Sequence, residues 1–262
     1  MTLKVMTFNV LQGGEERFDT LLTLLARESP DVLVLQECLG WDDGGRLRRV
    51  AEALGVPQDD AHMVLGQARS RGSGRCYHVS VVSRPALRSV SVHNNRHFLG
   101  HCIVQCELDS NGPVTLFGTH FDAHEEKLRY VEARYLRSLM DAKAFGEGQY
   151  LLAGDLNSLS RKDPYPVDLG DRLRRAGTDK YGHPPRFDVI DDLEDYGWVD
   201  TLRERPASSE WVTARRNRGG VTIDYRTDYV FASPRMAERL MAAEVIDVGD
   251  ASDHNMLVAT FR

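Results

Sequence analysis

The chain has 262 residues, 42% hydrophobic and 27% charged, with a formal net charge of -6 and a pI near 5.9. That length suffices for one large α/β core or two small ones, and no Pro/Gly/Ser-rich linker divides it, so a single domain over 1–262 is expected. The acidic balance repels polyanions, which excludes nucleic-acid binding through the overall field and leaves only a local site for it.

Met1-Thr2-Leu3-Lys4-Val5-Met6-Thr7-Phe8 alternates like a strand and lacks the apolar stretch of an export signal. No apolar run reaches membrane-spanning length, so no membrane insertion is expected. Cys102 and Cys106 lie too far apart along an extended strand to bridge, and no Cys-x-x-Cys occurs. Reduced thiols and a cytoplasmic location are the expectation.

Leu3 to Val10 reads as a strand closed by Gly13-Gly14. Glu16 to Arg27 carries Phe18, Leu21, Leu22, Leu24 and Leu25 at helical spacing, and residues 31–37 follow as an apolar strand ending in Gln36-Glu37. This strand-helix-strand unit places Asn9 and Glu37 at one edge if its strands run parallel. Arg46 to Leu54 is a short amphipathic helix. Met63 to Gly66, Tyr77 to Ser83, Leu87 to Val92, His101 to Leu108 and Val114 to His120 then read as strands with short connections, including an Asn111-Gly112 turn, which makes the sheet mixed.

The opening pattern recurs from Val114: a strand to His120, a helix over about Glu125 to Ala142, and a strand from Tyr150 into Gly154-Asp155-Leu156-Asn157. An approximate internal two-fold would bring His120, Asp155 and Asn157 to Asn9 and Glu37. Residues 160–186, polar with a helix near Leu169 to Ala176, suggest an inserted surface lid. Phe187 to Tyr196 predicts a helix, Tyr225 to Phe231 a strand, and Arg235 to Ala242 a helix. The last strands bracket Ser252-Asp253-His254, where successive side chains diverge.

The polar strand ends are Asn9, Glu37, His120, Asp155, Asn157, Asp228, Asp253 and His254. Oxygen donors without thiolates suit Mg²⁺ or Mn²⁺, and two imidazoles remain for proton transfer or for holding an anionic oxygen. Together they fit attack of metal-oriented water on a phosphate ester.

Thr7-Phe8-Asn9-Val10, Leu35-Gln36-Glu37, Gly118-Thr119-His120, Gly154-Asp155-Leu156-Asn157, Thr227-Asp228-Tyr229-Val230-Phe231 and Ser252-Asp253-His254 occur in that order across nearly the whole chain. The set resembles the motifs of the endonuclease/exonuclease/phosphatase superfamily, with its deoxyribonuclease I-like fold. The resemblance implies a four-layer α/β sandwich, two mixed β-sheets face to face with helices outside, and one site at the open edge. It further implies a metal held by Glu37 with Asn9 and Asp253, water oriented or deprotonated by Asp155, and a phosphoryl oxygen bound by Asn157. His254, oriented by Asp228, would serve the transition state, and His120 would contact phosphate or assist the leaving group. A Tyr often stands at that position in abasic-site endonucleases, so His120 weakens that branch.

The expected activity is hydrolysis of a phosphodiester or phosphomonoester, in a nucleic acid or a small phosphorylated metabolite. A catalytically silent binding protein and a non-hydrolytic enzyme are the alternatives. Arg203, Arg205, Arg215, Arg216 and Arg218 around Trp211 form a basic stretch suited to phosphate and a stacked base. Arg203, Trp211, Arg215 and Arg226 are the candidate substrate-binding residues, with Lys162, Lys180, Tyr165 and Tyr181 of the lid as further selectors. Three weaker patterns compete with plain loops: His120 with His124 as part of a zinc site, the His93, His97 and His101 series, and Arg71-Gly72-Ser73-Gly74-Arg75 as a phosphate cradle.

Overall fold

The computed structural model describes residues 2–69, 74–110 and 112–262. The cradle's Arg71-Gly72-Ser73 and Asn111 of the expected turn lie outside them. The chain opens with β1 (Leu3–Asn9), α1 (Phe18–Glu28) and β2 (Val32–Cys38), and β1 and β2 pair in parallel as expected. After α2 (Gly45–Ala53) come β3 (Met63–Gly66), β4 (His78–Ser83), β5 (Leu87–His93), β6 (Ile103–Ser110) and β7 (Gly112–His120). Two helices, α3 (Glu126–Ser138) and α4 (Ala142–Glu147), lead to β8 (Tyr150–Asp155), which pairs in parallel with β7. The remainder holds α5 (Leu169–Arg175), α6 (Asp188–Tyr196), β9 (Val199–Asp200), β10 (Ala214–Arg218), β11 (Val221–Tyr225), β12 (Asp228–Ala232), β13 (Leu240–Ile246) and β14 (Met256–Phe261).

Two six-stranded mixed sheets result, ordered β13-β14-β1-β2-β4-β3 and β5-β6-β7-β8-β12-β9, with β10 and β11 as a separate hairpin. Alternation along each strand decides the layers. Val5, Val34 and Val81 meet Leu116, Ala153 and Val230 between the sheets. Met6, Phe8, Leu33 and Leu35 pack outward on Phe18, Leu21 and Val50. On the far side Phe117, Leu152 and Phe231 pack on Leu136 and Ile190. The architecture is therefore the four-layer α/β sandwich.

Three expectations change. The strand over Tyr225 to Phe231 is broken at Arg226-Thr227, because β11 belongs to the hairpin while β12 belongs to the sheet and Arg226 is drawn into a buried ion pair between them. In place of a helix over Arg235 to Ala242, only Pro234–Ala237 makes a helical turn. Leu240, Ala243 and Val245 then bury against the neighbouring layer in an edge strand, β13, paired with β14. Finally, residues 160–186 are no mere surface cover. Leu169, Leu173, Ala176 and Tyr181 share an apolar cluster with Ala214, Ile223 and Tyr225 of the hairpin. Buried Arg129 of α3 ties this strap down by donating to the Lys180 carbonyl while paired with Glu126. Among the described residues no helix is long and apolar enough to cross a membrane.

Candidate active site

Strand parity builds most of the site. Asn9, His120, Asp155 and Asp228 share the phase of the residues that point between the sheets, so at the sheet ends they converge in one cleft. Glu37 has the opposite phase, that of Leu33 and Leu35, which face α1 and α2. An irregularity in the β2–β4 register between Leu35 and Cys38, with Glu37 at φ 57°, turns its carboxylate back to the cleft. Asn157 also occupies left-handed space, at φ 49°. Such strain in non-glycine residues costs about 1–3 kcal/mol each and collects at functional sites.

The hydrogen bonds form one chain. Asn9 Nδ2 donates to Asp155 Oδ2 at 3.1 Å and to Glu37 Oε1 at 3.4 Å, while the Gln12 backbone N–H holds Glu37 Oε2 at 2.8 Å. The Asn157 N–H binds Asp155 Oδ1 at 2.8 Å. Asn157 Nδ2 donates to His120 Nε2 at 3.1 Å and to the Phe121 carbonyl at 3.1 Å, and its Oδ1 accepts from Lys180 Nζ at 3.1 Å. His120 Nε2 meets that amide, and its Nδ1 has no hydrogen-bond partner among the described residues. His101 stacks on it with ring centroids 4.2 Å apart.

His254 Nδ1 lies 2.8 Å from Asp228 Oδ2, and its Nε2 lies 3.8 Å from Asp155 Oδ2. Burial works against the imidazolium, but Asp228 and Asp155 outweigh it and push His254 up to about 10. Burial likewise opposes the Asp155 carboxylate, yet His254, His120 and Lys180 together keep it below its ordinary value. At neutral pH the cleft thus holds an ionised carboxylate facing a protonated imidazole.

The donor set fits a hard divalent cation. Glu37 and Asp155 present carboxylate oxygens on either side of the Asn9 amide, and the nearest thiol, Cys38, turns into the core toward Ser80. Asp155, Asp228 and His254 also bring ligand atoms within 4.8 Å of one another. Within that trio His254 Nδ1 is taken by Asp228, which leaves Nε2 facing Asp155. Asp253 is exposed and makes no side-chain hydrogen bond or ion pair among the described residues; it lines a rim cavity of about 530 Å³ with Arg17 and Arg215.

The candidate substrate-binding residues are mostly occupied elsewhere. Arg226 is a correction: fully buried, it donates to Asp200 Oδ1 at 2.9 Å and Asp163 Oδ2 at 3.1 Å and cannot face a ligand. Arg203 Nε donates to the same Asp163 at 2.9 Å. Arg215 is exposed and paired with Asp224 at 2.6 Å. Trp211 is half-buried against the inter-sheet core and Tyr165. His93 ends β5 while His97 and His101 lie in the following loop, so no helix aligns them.

One signal in the chain went unused. No acidic residue occurs from Ala61 to Cys106, while that stretch carries six arginines and five histidines. Strand pairing sets its loops on the cleft rim, since Gly66 pairs with Val79 beside the Cys38–His78 pair, and Ile103 pairs with Thr119. Arg69, His93, Arg96 and His97 line an open pocket of about 660 Å³ there.

Residues 6–254 match the family described as "Endonuclease/Exonuclease/phosphatase family". An uncharacterised protein, L388, of Acanthamoeba polyphaga mimivirus is 24% identical over 256 residues, covering 87% of each chain. Among solved structures, the 3'-5' exonuclease NExo from Neisseria meningitidis superimposes with a TM-score of 0.71 at 22% identity over 99% of both chains. A Neisseria NExo structure described as a 3' phosphatase bound to a product DNA hairpin gives 0.70 at 21%, again over 99% of both. An AP endonuclease from Archaeoglobus fulgidus gives 0.68 at 20% over 99% of both. These structures share the fold, and with the family match spanning nearly its whole length the chain belongs to the endonuclease/exonuclease/phosphatase family.

Proposed function

We propose that the protein is a divalent-metal-dependent phosphoesterase that hydrolyses phosphodiester bonds in nucleic acid. The observation that carries the reading is the convergence of Asp155, His254 and Asn157 in one cleft, with His254 Nε2 3.8 Å from Asp155 Oδ2 and the Asn157 N–H 2.8 Å from Asp155 Oδ1. Asp155 orients a water and accepts its proton. When substrate binds, one Asn157 Nδ2–H leaves His120 Nε2 and donates to a phosphoryl oxygen, while the other stays on the Phe121 carbonyl. His254, kept protonated and oriented by Asp228, donates to the charge that develops on the phosphorane oxygens. In the free cleft His120 Nε2 meets the Asn157 amide and keeps it aimed. Mg²⁺ or Mn²⁺, held by Glu37 with Asn9 and Asp253, would withdraw charge from the phosphate when bound.

Nucleic acid is favoured over a small phosphorylated metabolite by Arg69, His93, Arg96 and His97 around one open pocket, a local basic patch on an otherwise acidic chain. The likeness to a fold that has been captured with a DNA hairpin supports the same choice.

The test is turnover of single-stranded DNA and RNA, duplex DNA, phosphodiesters and phosphomonoesters under Mg²⁺, Mn²⁺ and EDTA. Oligonucleotide hydrolysis that needs the metal and drops about 10²–10⁴-fold in His254→Ala is expected. Undiminished activity in that variant, or in EDTA, would sink the proposal.

A further inference from the structure

Among the described residues, two cations beside the cleft have no carboxylate within ion-pair distance, unlike their neighbours. Arg161, Arg172, Arg203, Arg215 and Arg226 are each matched by an aspartate. Lys180 is not: Asn157 Oδ1 is its one hydrogen-bond acceptor among the described residues, so two of its three donors are unused. Its ammonium stands 4.9 Å from the Tyr181 ring and 5.7 Å from the Tyr225 ring. Arg216 is half-buried, and its side chain makes no hydrogen bond or ion pair among the described residues.

The hairpin sets Arg216 beside that lysine. Ala214 pairs with Tyr225 and Arg216 with Ile223, so Arg216 shares the face of Ala214, Ile223 and Tyr225, which packs against Tyr181 of the strap. Ala214 also bridges to His254, which docks the hairpin on the catalytic segment. Burial in the first place, with Arg129 and Arg216 adding to it, lowers Lys180 to about 8 against the pull of Asp155. Lys180 stands against the Tyr225 ring and Arg216 shares the hairpin face of Tyr225, so two half-buried like charges border one space and favour an anion between them.

We propose that Lys180 and Arg216 form a second anion subsite, which takes a phosphate adjacent to the one being cleaved. This rests on the phosphoesterase reading for its place in the reaction, though not for its chemistry. A phosphate oxygen gives Lys180 its missing acceptors and gives the Arg216 fork a bidentate partner. The neighbouring phosphate of a nucleic-acid strand and the second phosphate of a small bisphosphate share that chemistry.

Two measurements on the full-length protein test it. The first is calorimetric binding of inorganic pyrophosphate in EDTA, to wild type, Arg216→Gln, Arg216→Lys and Lys180→Gln. Binding weakened at least about tenfold in both glutamine variants, with partial recovery in Arg216→Lys, is expected. The second compares kcat/KM for a thymidine dinucleotide with and without an added terminal phosphate, and for a hexose monophosphate with its bisphosphate. The gain from the second phosphate should collapse in the glutamine variants, and the pair showing that gain in wild type identifies the source. Pyrophosphate binding insensitive to both substitutions overturns the subsite whatever the turnover. Variant-sensitive binding without turnover of any substrate leaves the subsite standing and removes the phosphoesterase reading. Unchanged melting temperatures show that the variants are folded.

Discussion

Arg226 shows why side-chain chemistry alone misassigns a residue. On paper it is one more arginine near Trp211, but its guanidinium bridges Asp200 of β9 and Asp163 of the strap with no exposed surface. Removing one partner of a buried ion pair strands the other charge and costs about 3–5 kcal/mol. Arg226→Met should therefore lower the urea midpoint by a corresponding amount while the folded fraction keeps its KM. A raised KM with little loss of stability would return Arg226 to the substrate site. Glu37 is the converse case: an unremarkable strand end by sequence, it owes its place in the cleft to a left-handed φ and a register irregularity.

At the scale of elements, the parallel β7–β8 pair carries the largest share of the site, with His120 in register with Asp155. Gly154 lets those strands meet. A Cβ there would lie 2.0 Å from the Thr119 carbonyl oxygen, a backbone atom that cannot step aside. Gly154→Ala should cost about 3 kcal/mol through overpacking and lower activity by displacing Asp155 from Asn9 and His120. Chemical denaturation and kcat on the same preparation would check both effects, and a fully active, equally stable variant would contradict the role given to this contact. The strap and hairpin form a second cooperating pair: each lends apolar side chains to one cluster, and each contributes one cation to the proposed subsite.

The whole molecule is a four-layer sandwich with three apolar seams, a fourth apolar cluster between strap and hairpin and a polar edge, and its thiols report on that packing. Cys38, Cys102 and Cys106 are buried, Cys76 is half-exposed, and all four are free. Burial first of all pushes each of the three buried thiols up to about 12. In the unfolded chain they ionise near about 8.5. Their contribution to stability is therefore complete below the unfolded value and is lost as pH rises toward about 12, because only the unfolded chain releases those protons in between. Near pH 8, a thiol reagent should find one fast group in the native protein and four in denaturant; more than one fast group would contradict the packing. Much at this scale was legible in the chain itself. Apolar alternation marked β1 to β8, β12 and β14 but not β9, the β10–β11 hairpin or the start of β13, and the repeated strand-helix-strand units marked the two halves, because a period of two is a local property of the backbone. What only the tertiary structure decided depends on contacts between distant segments. The irregularity that re-aims Glu37, the burial of Arg226, the division of residues 221–232 between hairpin and sheet, and the meeting of Lys180 with Arg216 are all of this kind. No single stretch carries them, since each is set by which partner is near enough to desolvate or neutralise a group.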